Sequence, residues 1–215
     1  MNEGRVVNVH LSEEEQVEAL KKWWKENGKS VVAGVVIGLG AVFGWQAWEK
    51  HQRTSAEDAS ALFEQLSYNV ANGSTLAEQQ ARDLIQEHHG SVYAVFAALE
   101  LARIKVGQGD LAAARTQLQW ALNNAPDDSL RQIARLRLAR VMLSEGDTQG
   151  AASVAGAAVA DRFAAELAEL RGDIALADGD LAAARDAYLQ AIDSGAGNTE
   201  LVQMKLDDLS SVTDS

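Results

Sequence analysis

The chain has 215 residues, no cysteine, one proline and a formal net charge of −12. The first 48 residues carry 5 basic and 6 acidic side chains, which leaves 14 basic and 25 acidic ones for residues 49–215, a net charge of −11. This acidity makes nucleic acid a poor partner, and the lack of cysteine excludes disulfides and thiol chemistry.

The N-terminal segment is polar and contains a helix start signal. Ser12, followed three residues later by Glu15, has the form of a capping box, so we expect a short helix to begin there. Val17, Leu20 and Trp24 fall on one side of it, and the neighbouring lysines can reach lipid phosphates. We therefore expect this helix to lie on the inner membrane surface, with the docking of a regulatory partner as the alternative.

An uncharged run of 19 residues extends from Ser30 to Trp48. As a helix it is about 28 Å long, close to the hydrocarbon thickness of a bilayer. Tryptophans stand at both ends, with Trp24 before the run and Trp45 within its last turn. The run is typical of a transmembrane helix, whereas a cleaved signal peptide or a buried core helix fits it less well.

The lysines around this run predict its orientation. Four lysines precede it within nine residues, and only Lys50 and Arg53 closely follow it, so the N-terminus is expected in the cytosol. In a bacterium the protein would be a single-pass inner-membrane protein with its C-terminal part in the periplasm. The predicted domains are a cytosolic segment over residues 1–29, a transmembrane helix over 30–48 and a periplasmic domain over 49–215.

The predicted span contains two GxxxG motifs. Gly34 and Gly38 form one, and Gly40 and Gly44 form the other, on helix faces about 240° apart. Glycine lets helix backbones approach closely in a membrane, so these four positions are predicted to contact a membrane partner. The alternative is that glycine is simply frequent in membrane helices.

An exact repeat indicates the architecture of the exported part. The run from Gly109 to Arg115 recurs unchanged from Gly179 to Arg185, and Gly146 begins a related Gly-Asp pair between them. The resulting period is near the 34 residues of a tetratricopeptide helical hairpin. In each pair, glycine is expected to end one helix and aspartate to cap the next. The fold class is therefore predicted as all-α, with one transmembrane helix followed by a tetratricopeptide-like array.

Further helices are expected on both sides of the repeats. One weaker hairpin is predicted from about Ala56 to Asn72 and from about Thr75 to His88. The middle repeat is alanine-rich and has no closing proline, so we expect it to be thin or irregular. A capping helix is predicted from Thr199 to Leu209, because a stacked array needs to cover its last apolar face.

The repeat register predicts a concave partner-binding surface. It is apolar, with one arginine in each of the first two repeats and an acidic far end. Apolar contact tolerates many sequences and suits a polypeptide-binding surface; alternatively, helices of the same chain fill the groove. The residues are Phe96, Leu99, Arg103 and Val106, then Ile133, Leu136, Arg140 and Leu143, then Glu166, Glu169 and Asp173.

Enzymatic chemistry finds no support in the sequence. His10, His51, His88 and His89 fall on two sides of the membrane or at predicted helix ends, without the spacing of a zinc site. No base, orienting group and oxyanion loop gather in one segment. We therefore expect no catalytic residues, no metal and no cofactor.

Three segments together resemble a known family. They are Lys22–Lys29 before the span, Gly44–Trp48 at its end, and Gln203–Leu206 near the C-terminus. In this order they resemble the YfgM-like family of ancillary subunits of the bacterial Sec translocon. The resemblance implies a periplasmic domain beside the translocon, partnered by translocon subunits, a membrane-anchored peptidyl-prolyl isomerase chaperone, exported polypeptides and membrane lipid.

The resemblance also implies a second possible role. The cytosolic segment would hold a stress regulator while the outer domain reports on the envelope, which makes the protein a signalling anchor. An assembly factor for envelope complexes is a third reading that composition and periodicity leave open.

Overall fold

The computed structural model describes residues 13–158 and 162–213, and within these ranges it contains nine α-helices and no strand. The predicted all-α class is confirmed. The helices are α1 Glu13–Ala71, α2 Ala77–Glu87, α3 Val92–Gly107, α4 Leu111–Asn124, α5 Asp128–Ser144, α6 Thr148–Gly156, α7 Ala164–Ala177, α8 Leu181–Asp193 and α9 Thr199–Thr213.

Helix α1 is longer than the sequence predicts. Its 59 residues join the expected surface helix, the expected span and the first helix of the weak hairpin. The stretch has no proline, and none of its glycines has a positive φ, so nothing in the backbone ends the helix before Ala71. The described residues form two units that divide within α1, between Thr54 and Ser55. Ser12, the predicted cap, lies outside the described residues.

The second unit is an array of helical hairpins. Helices α3 and α4, α5 and α6, and α7 and α8 pack as consecutive pairs, and α9 packs on α8. The side chains of Ala59 and Leu66 from the end of α1 share a buried cluster with α2 and α3. Thus the predicted preceding hairpin, the three repeats and the terminal capping helix are all present.

Each Gly-Asp pair builds the predicted turn. Gly109, Gly146 and Gly179 have φ values of 78°, 83° and 82°, a left-handed conformation that suits glycine. The aspartate that follows accepts a hydrogen bond from a backbone N–H three residues on; the Ala113 N–H donates to the Asp110 Oδ1 at 3.1 Å. Asp147 and Asp180 make the same cap at 2.9 Å. The local turn chemistry therefore produces the hairpins.

The middle repeat is thin, as predicted. Its second helix, α6, has only nine residues, and α7 packs directly on α5 as well as on α6. Gly150 lets α6 approach α5 closely, because a Cβ there would lie 2.3 Å from the Met142 Cε. Small residues thus determine how closely α6 packs on α5.

Candidate functional site

The first candidate surface is the apolar part of α1. Among the described residues, α1 is the one helix that is long and apolar enough to cross a membrane. The rest of the protein buries none of its most apolar segment. Large apolar side chains are exposed along this segment, which favours lipid or another membrane protein as the surroundings. The exposed side chains are Val32, Val35, Val36, Ile37, Leu39, Val42 and Phe43.

The four predicted contact glycines lie on this exposed part of α1. A Cβ built at Gly34, Gly38, Gly40 or Gly44 would meet no atom within 4 Å, so both glycine faces are open. Open glycine faces let a second helix approach the backbone of α1 closely. The prediction that they contact a membrane partner remains a prediction.

Paired tryptophans mark both ends of the apolar segment. The Trp23 and Trp24 ring centroids lie 6.4 Å apart, and those of Trp45 and Trp48 lie 5.2 Å apart. All four rings are exposed, as suits side chains at a membrane–water interface.

The second candidate surface is the predicted concave face of the repeats. Phe96, Ile133 and Leu143 are half-buried, whereas Arg103 and Val106 are exposed. Leu99 and Leu136 are only 6% and 5% exposed and belong to the main hydrophobic core. The chain's own side chains therefore cover these two leucines, as in the alternative that helices of the same chain fill the groove. That this face binds a partner remains a prediction.

Helix α9 supplies a cation to the acidic end of this face. The Lys205 Nζ lies 2.7 Å from the Glu169 Oε1 and 2.7 Å from the Asp173 Oδ1. The Arg140 guanidinium approaches Glu169 from the other side at 3.7 Å, and the Tyr188 hydroxyl donates to the Asp173 Oδ1 at 2.8 Å. Charges from α5, α7 and α9 therefore meet there, and Glu169 and Asp173 are paired with cations of the same chain. Glu166, nearer the start of α7, is half-buried.

This cluster shifts two pKa values. Burial, the hydrogen bond to Asp173 and the charges of Asp173 and Glu169 raise the pKa of the Tyr188 hydroxyl far above its ordinary 10.0. Burial lowers the pKa of Lys205, but its hydrogen bonds to both carboxylates and their charges outweigh that effect, so the pKa lies above 10.5. Lys205 is therefore held as a cation against α7.

The third candidate surface is a pocket that the sequence reasoning missed. It has a volume of about 380 Å³ and lies between the first half of α5 and the side chains of Ala157, Arg162 and Phe163. The signal in the sequence was the charge of α5, which carries four of the 14 basic side chains of residues 49–215 and only one acidic one. The lining residues are Asp128, Ser129, Arg131, Gln132, Arg135, Ala157, Arg162 and Phe163.

The histidines of the described part of the chain do not gather into a site. The His88 Nδ1 lies 3.4 Å from the Ser55 Oγ, and His51 is exposed on α1; His10 lies outside the described residues. Within residues 13–158 and 162–213, no three His, Cys, Asp or Glu side chains are arranged to hold a metal ion.

Comparisons with known proteins agree with this architecture. A family model described as a tetratricopeptide repeat-like domain matches residues 21–211. A protein of Haemophilus influenzae named "Ancillary SecYEG translocon subunit" is 34% identical over 200 residues, covering 93% of this chain and 98% of its own length. Proteins with the same name from Escherichia coli and Neisseria gonorrhoeae are 34% and 26% identical over 206 residues; they match 95% and 94% of this chain and 100% and 99% of their own lengths. No solved structure matches the chain.

Proposed function

The chain belongs to the family of ancillary SecYEG translocon subunits, and on that premise we propose that it links polypeptides leaving the translocon to chaperones. At the coarser level it is a membrane-anchored, translocon-associated interaction module with a tetratricopeptide-like domain. The observation that carries the proposal is the extent of the match, which begins before the span and continues into α9.

The anchor is proposed to provide the contact with the translocon. Helix α1 offers two open glycine faces and an apolar surface that the protein itself does not bury. Close backbone packing is a main source of helix association in lipid, where apolar side chains gain nothing from leaving water. We assign the Gly34 and Gly38 face or the Gly40 and Gly44 face to a translocon helix, and the remaining surface to lipid.

The repeat domain is proposed to lie in the periplasm. The four lysines before the apolar segment support an N-terminus in the cytosol. In that orientation the domain meets polypeptides as they emerge. Its partners are then exported polypeptides and a membrane-anchored peptidyl-prolyl isomerase chaperone, and its role is to hold them beside the translocon.

Copurification of the native chain and of two variants tests whether α1 contacts the translocon and the repeats contact the chaperone. The first variant has residues 30–48 replaced by an unrelated 19-residue span, and the second lacks the repeats. The native chain is expected to retain SecYEG and the chaperone, and the span replacement is expected to lose SecYEG. Loss of the chaperone only from the version without repeats supports the adaptor role, whereas unchanged SecYEG recovery after span replacement contradicts the assignment of α1.

The signalling alternative gives a different result. Removal of residues 1–20 would abolish a regulatory output and leave export unchanged if the cytosolic segment held a stress regulator. Under the adaptor proposal, the same deletion preserves recovery of SecYEG and the chaperone, because neither contact requires those residues.

A further inference from the structure

We propose that the arginine-lined pocket beside α5 is a binding site for carboxylate side chains of a polypeptide partner. The inference rests on the proposed function only in taking the partner to be a polypeptide, and it adds a site and a ligand chemistry. The pocket is formed by Arg131 and Arg135 on α5 and by Arg162 and Phe163 just before α7.

The arginines of the pocket are incompletely neutralised. Arg131 is paired with Asp128 and also donates to the Ala125 carbonyl oxygen at 3.0 Å. In contrast, no carboxylate lies within ion-pair distance of Arg135 or Arg162 anywhere in the described part of the chain. Among the described residues that line the pocket, three are arginines and one is an aspartate, so this lining is cationic in a region of net charge −11.

A buried amide adds a donor to the wall. Gln132 is only 7% exposed, and its Oε1 accepts a hydrogen bond from the Arg135 Nη1 at 3.1 Å. Within the described residues, the Gln132 side-chain nitrogen has no protein partner. Every fully buried side-chain nitrogen or oxygen among the described residues has a hydrogen-bond partner, so the unpartnered Gln132 nitrogen is accessible to solvent. Gln132 is one of the residues that line the pocket. A donor without a protein partner, on a side chain that is otherwise largely buried, can donate to a ligand that enters the pocket.

The donor set suits a carboxylate. A guanidinium presents paired N–H groups that match the two oxygens of a carboxylate, and such charge-assisted hydrogen bonds are stronger than neutral ones. Arg135 and Arg162 supply the charge, and Gln132 supplies a further donor. Phe163 is half-buried in the wall and offers apolar surface for the methylene groups of a glutamate side chain.

The surrounding charge favours a polypeptide over a membrane surface. The region of net charge −11 is repelled by anionic lipid headgroups, whereas a flexible acidic segment can place one or two carboxylates in the pocket alone. A volume of about 380 Å³ is at the small end of ligand pockets, which suits a few side chains. The site would thus select short acidic segments by local charge.

Peptide binding to the full chain in detergent micelles tests the inference. The probe is a fluorescent peptide of alternating glutamate and alanine, and its control carries glutamine in place of glutamate. The double variant Arg135→Gln with Arg162→Gln is expected to bind the glutamate peptide about tenfold to a hundredfold more weakly, with an unchanged circular dichroism spectrum. Arg171→Gln with Arg185→Gln removes the same charge elsewhere on the repeats and is expected to leave the affinity unchanged.

Several results would overturn the inference. One is that the chain binds the glutamate and glutamine peptides with equal affinity. Another is that both double variants bind the glutamate peptide equally weakly. A third is that the chain binds phosphatidylglycerol vesicles through these arginines but does not bind the peptide. The affinity of the unmodified chain should also fall steeply with added salt, a measurement that needs no variant. Unchanged peptide affinity in the variant Arg135→Gln with Arg162→Gln would reject this site and would have no bearing on copurification with SecYEG. Failure of the unmodified chain to copurify with SecYEG would instead reject the proposed function.

Discussion

Replacing Gly172 by alanine should destabilise the repeat domain, although alanine is the better helix former. A Cβ at this position in α7 would lie 2.3 Å from the Tyr188 Cε1 and 2.4 Å from the Cδ1. Carbon atoms in contact normally lie about 3.5–4.0 Å apart, so the ring would have to move by more than 1 Å. It has no free space, because Tyr188 is 0% exposed and its hydroxyl is held by Asp173.

The magnitude follows from two opposing effects. Overpacking a filled core costs about 1–3 kcal/mol, and Gly→Ala inside a helix contributes about 1 kcal/mol of stability. The contact is severe, so we expect a net destabilisation of about 1–2 kcal/mol. Gly107→Ala is the matched control: a Cβ there meets nothing within 4 Å and its φ is not positive, so the change should be neutral or stabilising by up to about 1 kcal/mol.

Denaturant unfolding of the full chain in micelles, followed by circular dichroism, measures both changes. A double-mutant cycle with Tyr188→Leu isolates the clash, since the smaller flexible side chain should recover most of the loss. If Gly172→Ala were as stable as the unmodified chain, the close packing of α7 on α8 would be refuted.

Three further predictions concern the same end of the array. Lys205→Met keeps the side-chain stem but leaves the carboxylate of Asp173 without its cation, and should lower the free energy of unfolding by about 1–2 kcal/mol in denaturant titrations; an unchanged midpoint would show that α9 is not held by this ion pair. Asp180→Ala removes the cap of α8 and should cost about 1 kcal/mol in the same titration, whereas Asp186→Ala, on the exposed surface of α8, should cost much less; equal effects would contradict the role of the cap. The folded-state pKa values of Tyr188 and Lys205 lie above their ordinary values of 10.0 and 10.5, so their contribution to stability is complete below about pH 10 and is lost as the pH rises further. The phenolate absorbance of Tyr188 should therefore appear together with the loss of helical circular dichroism and vanish in Tyr188→Phe; a phenolate that forms while the helices persist would contradict the burial.

Features of the fold that depend on neighbouring residues could be predicted from the sequence. The turns at Gly109, Gly146 and Gly179 follow from backbone freedom and a side-chain cap, which need no knowledge of the rest of the chain. The span follows from a run of uncharged residues longer than most soluble helices need. The turns and the span could therefore be predicted from the sequence alone.

Features that depend on distant packing could not be predicted in the same way. Leu99 and Leu136 have the spacing of groove residues, but which face of a helix is covered depends on how α3 to α5 pack together. The pairing of Lys205 with Glu169 joins residues 36 positions apart, and the arginine pocket combines α5 with the start of α7. Such contacts exist only after the array has stacked.

The central claim is that α1 anchors the chain to the translocon, and photocrosslinking within the apolar segment tests it most directly. Val36 is 63% exposed, so a photoreactive residue there can capture whatever packs against α1 in living cells. The account predicts capture of SecYEG subunits, with a marked decrease when the contacting glycine pair, Gly34 and Gly38 or Gly40 and Gly44, is replaced by leucine. Capture of lipid alone, or of another copy of the chain without any SecYEG subunit, would contradict it.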